Sequence, residues 1–221
     1  LPAVLDVVLD CLRNPTFPAA EFEKLKQERL AGLESQKQDP QSLAFNLATR
    51  TAEPWPAGHP FATLSYDDEI TALKAVKVED VRSFYQQFYG AQDATLAVVG
   101  TFDEPAVRQR LDKQLGSWKS ATAYTRIPLK IFPVATSTQS LQTNDKANAM
   151  FVTMLKYPLR DDSPDYPAVY MANYILGGGF LNSRLATRIR QKEGVSYGVG
   201  SWVSADDNDE VGSFNSYAIY N

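Results

Sequence analysis

Apolar residues recur at helical spacing through the first ninety residues of the chain. The first segment has apolar positions at i, i+3 and i+4 and stops at Asn14 and Pro15, and later segments are bounded in the same way by polar or proline residues. The pattern predicts helices over 4–12, 21–38, 41–53, 67–76 and 78–88. The proline-rich stretch 54–60 predicts a loop between the third and fourth of them.

The pattern changes after residue 90, where short apolar runs alternate with helical ones. The run 95–99 precedes Gly100 and predicts a buried strand. Further helices are predicted over 104–115, 165–176 and 182–192, and further strands over 149–156, 196–204 and 211–220. The acidic segment 206–209 predicts a hairpin loop between the last two strands. Interleaved helices and adjacent strands indicate an α+β fold with an antiparallel or mixed sheet.

Composition narrows the possible classes of function. The chain has 221 residues, of which 44% are hydrophobic and 22% charged, as is typical of a folded domain. Its net charge of -4 gives no reason to expect nucleic acid or an anionic membrane as a partner. No apolar run approaches the roughly 18 residues of a membrane span. The single cysteine, Cys11, lies in an apolar stretch that predicts a buried thiol.

The sequence contains few residues that could form a metal-binding, nucleophilic or phosphate-binding site. His59 is the only histidine, and it has no cysteine nearby to share a zinc ion. The G-x-S-x-G sequence at 194–198 joins a predicted helix to a predicted strand, so it is not the strand-to-helix elbow of a nucleophilic serine. The glycine run 177–179 lacks the lysine of a P-loop, and the acidic loop 206–209 lacks the EF-hand pattern. A nucleotide- or metal-regulated binding module remains an alternative that rests on these last two features alone.

The segment 175–201 contains the best candidate residues. Arg190 lies near the end of a predicted helix that Gly194 terminates, and Tyr197 begins the next strand. A guanidinium and a phenol placed in this way can converge on one cleft and donate hydrogen bonds to a carbonyl group. The alternative is an exposed arginine beside a packed tyrosine without a function.

Several motifs occur together and in order in this segment. They are Leu-Gly-Gly-Gly at 176–179, Ser-Arg-Leu at 183–185 and Arg-Gln-Lys-Glu-Gly-Val-Ser-Tyr at 190–197. With them, the chain resembles the insulinase/pitrilysin family of inverted zinc metallopeptidases, which includes the processing peptidases. The resemblance extends to residues 14–40, which are similar to the family's long central helix and its exit, to His-Pro-Phe at 59–61 and to the helix-strand segment 78–103.

The resemblance implies a metalloprotease LuxS/processing-peptidase-like fold, in which helices back mixed or antiparallel sheets. Two similar units would be partly covered: residues 1–118 form the later part of one, 119–135 a linker, and 136–221 the first part of the next. The family binds zinc through H-x-x-E-H and a distal glutamate, whereas this sequence has no H-x-x-E-H and places Gly32 at the glutamate position. We therefore expect no metal ligand or cofactor in this chain, and zinc on a partner domain or subunit.

The resemblance also implies roles for Arg190 and Tyr197. In the family, the matching residues lie across a cavity from zinc and contact carbonyls of the peptide substrate. The chain is thus predicted to be catalytically inactive alone and to complete, in trans, a peptide-cleaving site on another domain or subunit. The alternative is a structural core or assembly subunit of the same fold. Bacterial relatives with doubled units are often exported, which favours the periplasm.

Overall fold

The structure is a computed structural model that describes residues 2–143 and 146–220. Its α-helices are α1 (Pro2–Arg13), α2 (Ala19–Gln36), α3 (Pro40–Ala52), α4 (Tyr66–Ala75), α5 (Val78–Phe88), α6 (Glu104–Leu115) and α7 (Tyr166–Asn173). Its strands are β1 (Ala149–Tyr157), β2 (Ser196–Ala205) and β3 (Gly212–Tyr220). Between α7 and β2 lie a first π-helix (Tyr174–Gly178), a 3-10 turn (Phe180–Asn182) and a second π-helix (Ala186–Lys192). The predicted α+β class is confirmed.

Local signals explain where the helices begin. The side chain of Asp39 accepts a hydrogen bond from the Ser42 amide and caps α3, and Asp103 caps α6 through the Ala106 amide. A proline in the first turn of each helix needs no amide partner there. The boundaries of α1 to α6 fall within a few residues of the predicted ones because these signals act within one turn.

The three strands form one antiparallel sheet in the order β1-β3-β2. The last two strands are joined through the acidic loop, where Ala205 pairs with Gly212, so the predicted hairpin is confirmed. Asp206 holds this loop, since its carboxylate accepts the amides of Asn208 and Asp209. The loop carboxylates therefore form a turn of the backbone.

Contacts between Cα atoms group the chain into two compact units. One contains Leu1–Arg29 and Leu73–Ile127, and the other contains Leu30–Ala72 and Pro128–Asn221. The division into 1–118, 119–135 and 136–221 concerns the repeating units of the family's fold and stays a prediction.

The second unit packs helices on both faces of the sheet. Ser201 and Trp202 are successive residues of β2, so their side chains point to opposite faces. The Ser201 hydroxyl donates to Asn173 Oδ1 of α7 at 2.7 Å, and the Trp202 ring lies 5.7 Å from the Phe45 ring of α3. Lys156 of β1 also forms an ion pair with Glu53 beside α3. Buried apolar residues of this unit are Leu33, Ala52, Ile70, Leu159 and Ala186.

Among the described residues of the first unit, the regular elements are all helices, joined by non-helical segments. Leu9 of α1 and Val107 of α6 are buried there. The Tyr85 hydroxyl of α5 donates to the Leu12 and Arg13 carbonyls at the end of α1. Desolvation raises the pKa of Tyr85, so its phenol remains a hydrogen-bond donor at neutral pH.

Two predictions for the first unit are wrong. Residues 95–99 form no strand, and Val99 is 98% exposed. A strand needs a neighbour to pair with its amides and carbonyls, and the described residues of this unit supply none. Cys11 is exposed, because the apolar stretch around it belongs to a helix of which one face only is covered.

Candidate functional site

The glycine run permits a close contact between the first π-helix and the sheet. A Cβ atom on Gly177 would lie 2.6 Å from the Ser201 amide nitrogen and 2.8 Å from Leu185 Cδ1, far inside van der Waals contact. Gly177 is buried, and its φ angle is not among the positive ones, so it serves close packing. A bulky side chain at this position would clash with the sheet.

The second π-helix carries Arg190 and is fixed at both ends. At its start, the Ser183 hydroxyl donates to the Phe180 carbonyl at 2.8 Å and accepts the Ala186 amide at 3.2 Å. Near its end, Gln191 Nε2 donates to the Leu181 carbonyl at 2.9 Å. Segments of π-helix are rare and occur often at functional sites, because the wider turn redirects the side chains that follow.

Gly194 ends this helix, as predicted. Its φ angle of 66° lies in the left-handed region that glycine enters without strain. The Val195 amide donates back to the Ile189 carbonyl at 3.2 Å, which closes the wide turn. The chain then enters β2 only two residues after the glycine, and Arg190 and Tyr197 are thereby brought to the same end of the second unit.

Tyr197 occupies a β-bulge that sequence reasoning missed. The pairing of β2 with β3 advances from Ser196 to Gly198 on one strand but only from Tyr220 to Ile219 on the other. Tyr197 therefore has no Cα partner in the ladder. Bulges bend a strand and re-aim the side chain of the extra residue. No residue pattern in the segment 196–198 marks the bulge, because it depends on the register with a strand twenty residues later.

The structure brings the two candidate residues into contact. Arg190 Cζ lies 5.0 Å from the centroid of the Tyr197 ring, within the range of a cation–π interaction. Tyr197 is 83% exposed, so this contact is worth only about 0.5–1 kcal/mol. The contact orients the two groups more than it stabilises the fold.

The polar atoms of this pair have no partner within the described residues. The ring contact uses the face of the guanidinium and leaves its N–H groups free to donate in the plane. Glu193, the nearest carboxylate in sequence, pairs instead with Arg188 at 2.8 Å. The Tyr197 hydroxyl likewise has no acceptor among residues 2–143 and 146–220. Tyr197 thus presents an uncommitted donor at an exposed position, beside a half-buried Arg190 whose N–H groups are also uncommitted.

Other candidate positions do not form a metal site. The His59 ring stacks on Trp55 at 4.0 Å, and its Nδ1 accepts the Phe61 amide, so the imidazole belongs to an aromatic cluster of the second unit. Gly32 lies in α2, where a Cβ would meet nothing within 4 Å. Among residues 2–143 and 146–220, no group of three or more His, Cys, Asp or Glu side chains is arranged to hold a metal ion. The described helices also include none that could span a membrane.

An apolar pocket in the first unit, called the hollow below, has few polar groups that could bind a ligand. Its volume is about 200 Å³, and its walls are Cys11, Leu12, Pro15, Phe17, Val81, Phe84, Tyr85 and Tyr89. The Tyr85 hydroxyl is already bound to two carbonyls of α1. The hollow therefore lacks the convergent free polar groups of a typical ligand site.

Comparisons with known proteins identify the family. The family described as "Peptidase M16 inactive domain" matches residues 75–220. An "uncharacterized zinc protease" of Rickettsia felis is 23% identical over 97% of this chain and 49% of its own length. A "non-peptidase homolog" of Helicobacter pylori is 23% identical over 86% of this chain and 42% of its own length.

A solved structure agrees with this assignment. The crystal structure of a peptidase M16 inactive domain from Pseudomonas fluorescens is 26% identical, with a TM-score of 0.70 over 99% of this chain and 51% of that one. The chain therefore spans about half the length of the relatives that it matches. The resemblance to insulinase-like metallopeptidases is confirmed, and the chain belongs to the family of peptidase M16 inactive domains.

Proposed function

We propose that this chain is the substrate-contacting, zinc-free part of an M16 peptidase. Arg190 and Tyr197 donate hydrogen bonds to the backbone of a peptide held at a zinc site on another domain or subunit. The observation that carries the proposal is the contact of Arg190 with the exposed Tyr197, in which both side chains keep uncommitted donors. Membership of the inactive-domain family agrees with a role that needs a catalytic counterpart.

The chemistry of the pair suits a peptide carbonyl. A guanidinium donates through several N–H groups fixed in one plane, and a phenol donates through one rotatable O–H. During hydrolysis the carbonyl oxygen gains negative charge, so donors already aimed at it stabilise the transition state more than the ground state. One such donor is typically worth about 3–4 kcal/mol of the activation barrier.

Zinc and the attacking water would come from the counterpart. The described residues of this chain do not fit a zinc site, because the only imidazole is stacked on Trp55 and its Nδ1 accepts a backbone amide. The name of the Rickettsia relative, a zinc protease about twice as long as this chain, supports zinc in the remaining part of such a protein. The bacterial periplasm remains our expectation for the compartment.

The test is a Tyr197→Phe substitution in the full-length protein assembled with its zinc-binding counterpart. Removing the hydroxyl keeps the ring over Arg190 and deletes one donor, so we expect kcat for a peptide substrate to fall more than tenfold. Tyr124→Phe removes a hydroxyl from another exposed tyrosine and should leave turnover unchanged. Equal turnover in the Tyr197→Phe and wild-type proteins would remove Tyr197 from the mechanism.

A structural role is the second candidate, and the name of the Helicobacter relative favours it, since that protein is called a non-peptidase homolog. In that case the chain holds an assembly together without contacting substrate. Measurements on the assembled protein distinguish the two functions. Chelator-sensitive peptide cleavage that depends on Arg190 supports the first, whereas an assembly without an H-x-x-E-H segment in any subunit supports the second.

A further inference from the structure

We propose that Ser196 is a positioning residue that holds the bulge presenting Tyr197 to Arg190. This inference rests on the proposed function, because it concerns how the same pair is oriented. Ser196 immediately precedes Tyr197, is only 5% exposed, and is the last residue of β2 to pair with β3 before the bulge.

The hydroxyl of Ser196 bonds to both strands at the bulge. Its Oγ lies 2.6 Å from the Ile219 carbonyl of β3 and 2.9 Å from the Gly198 carbonyl of its own strand. These two residues are the pair at which the ladder resumes. One buried donor thus joins Ser196 to the Gly198 carbonyl, on the other side of Tyr197, and to the Ile219 carbonyl of the partner strand, so it fixes the backbone on either side of Tyr197.

The need for such a donor follows from the exposure of the aromatic ring. Tyr197 is 83% exposed, and its recorded ring contact is with the Arg190 guanidinium, so side-chain packing does little to hold it. A bulge without a pinned backbone would let the phenol sample several directions. Catalytic groups must be held within a fraction of an ångström, and a misplacement of about 1 Å costs on the order of a hundredfold in rate.

The backbone that carries Arg190 is held independently of Ser196. Gln191 Nε2 donates to the Leu181 carbonyl, and Arg188 pairs with Glu193, so the end of the second π-helix is tied within its own segment. Loss of the Ser196 hydroxyl should therefore move the phenol and leave the backbone at Arg190 where it is. This asymmetry makes the inference testable by a probe on the tyrosine ring.

The experiment places 3-fluorotyrosine at position 197 of the full-length protein and records its ¹⁹F resonance. Arg190→Gln gives the reference shift for a ring without a cation over it. We expect Ser196→Ala to move the resonance toward that reference, and Ser196→Thr, which keeps the hydroxyl, to restore the wild-type value. In the unlabelled assembly, Ser196→Ala should lower kcat about tenfold or more, with a smaller effect on KM.

Ser201→Ala is the matched control. Ser201 lies on the same strand and is 6% exposed, but its hydroxyl bonds to Asn173 of α7 and to neither carbonyl at the bulge. It should lower the melting temperature as Ser196→Ala does and leave the ¹⁹F resonance unchanged. An unchanged resonance in Ser196→Ala, or an equal shift in Ser201→Ala, would overturn the proposal.

The same measurements separate this inference from the proposed function. If Ser196→Ala shifts the resonance but Tyr197→Phe leaves turnover unchanged, the proposed function fails while the bulge is still held by Ser196. If Tyr197→Phe lowers turnover and Ser196→Ala leaves both the resonance and kcat unchanged, the proposed function stands and the positioning role fails.

Discussion

Gly177 and Gly32 show how the surroundings of a glycine determine whether an added methyl group lowers or raises stability. Both lie in helical segments of the second unit. A Cβ on Gly177 would enter the contact with Ser201 and Leu185, whereas a Cβ on Gly32 would meet nothing within 4 Å. The sequence marks both only as glycines, because crowding is a property of what packs against them.

Opposite effects on stability are expected for these two glycines. Gly177→Ala overpacks the contact with β2 and should lower the free energy of unfolding by about 1–3 kcal/mol. Gly32→Ala should raise it by about 0.5–1 kcal/mol, since alanine loses less backbone entropy in a helix. Urea denaturation of the two variants measures both. Stabilisation by Gly177→Ala would contradict the close approach of the first π-helix to the sheet.

At the scale of elements, α3 depends on one titratable cap. The Asp39 carboxylate accepts hydrogen bonds from the Ser42 amide and hydroxyl at 2.8 and 2.7 Å. The side-chain bond with Ser42 is the main reason that the pKa of Asp39 is lowered. A carboxyl whose pKa is lower in the folded state stabilises the protein above its unfolded pKa and loses that contribution as pH falls through the folded value.

Because the pKa of Asp39 is lowered in the folded protein, the stabilisation from the cap should decrease at low pH. Asp39→Ala should cost about 1 kcal/mol near neutral pH, because an N-cap acceptor is lost. Asp39→Asn keeps an acceptor but cannot titrate, so any advantage of the wild type over it should shrink as pH falls below about 4. Melting temperatures of the three proteins between about pH 2 and pH 7 test this. A wild-type advantage that grows at low pH would contradict the assigned cap.

Sequence patterns were sufficient for elements whose signals are local. Helix α6 begins and ends at the predicted residues, with its proline in the first turn, and the hairpin of β2 and β3 follows from its acidic loop. The π-helical turns and the bulge at Tyr197 could not be predicted. They depend on bonds such as Gln191 to Leu181 and Ser196 to Ile219, which join residues that no short pattern relates.

For the whole molecule, the candidate site could likewise be predicted only as far as its signals lie within a short stretch of sequence. The spacing of Arg190 and Tyr197, read with the family resemblance, was enough to expect them in one place, and the structure records their contact at 5.0 Å. The role of the pair stays a prediction. The run 95–99 shows the opposite case: its apolar residues are typical of a buried strand, but burial requires a neighbour that the described part of the first unit does not contain.

The difference between a buried and an exposed valine of the first unit can be measured as a difference in stability. Val107 in α6 is 6% exposed, and Val99 is 98% exposed. In the chain of 221 residues, Val107→Ala should lower the free energy of unfolding by about 2 kcal/mol, because it removes buried methyl groups and leaves a cavity. Val99→Ala should change it by less than about 0.5 kcal/mol.

Denaturation midpoints of both variants should then be compared in the full-length protein. In a protein as long as its relatives, which are about twice the length of this chain, additional polypeptide would be available to cover Val99. A cost for Val99→Ala that appears only in the full-length protein would place the cover of residues 95–99 in that polypeptide. Equal costs for the two substitutions in the 221-residue chain itself would mean that 95–99 is packed as the sequence predicts, and the exposed conformation would be wrong.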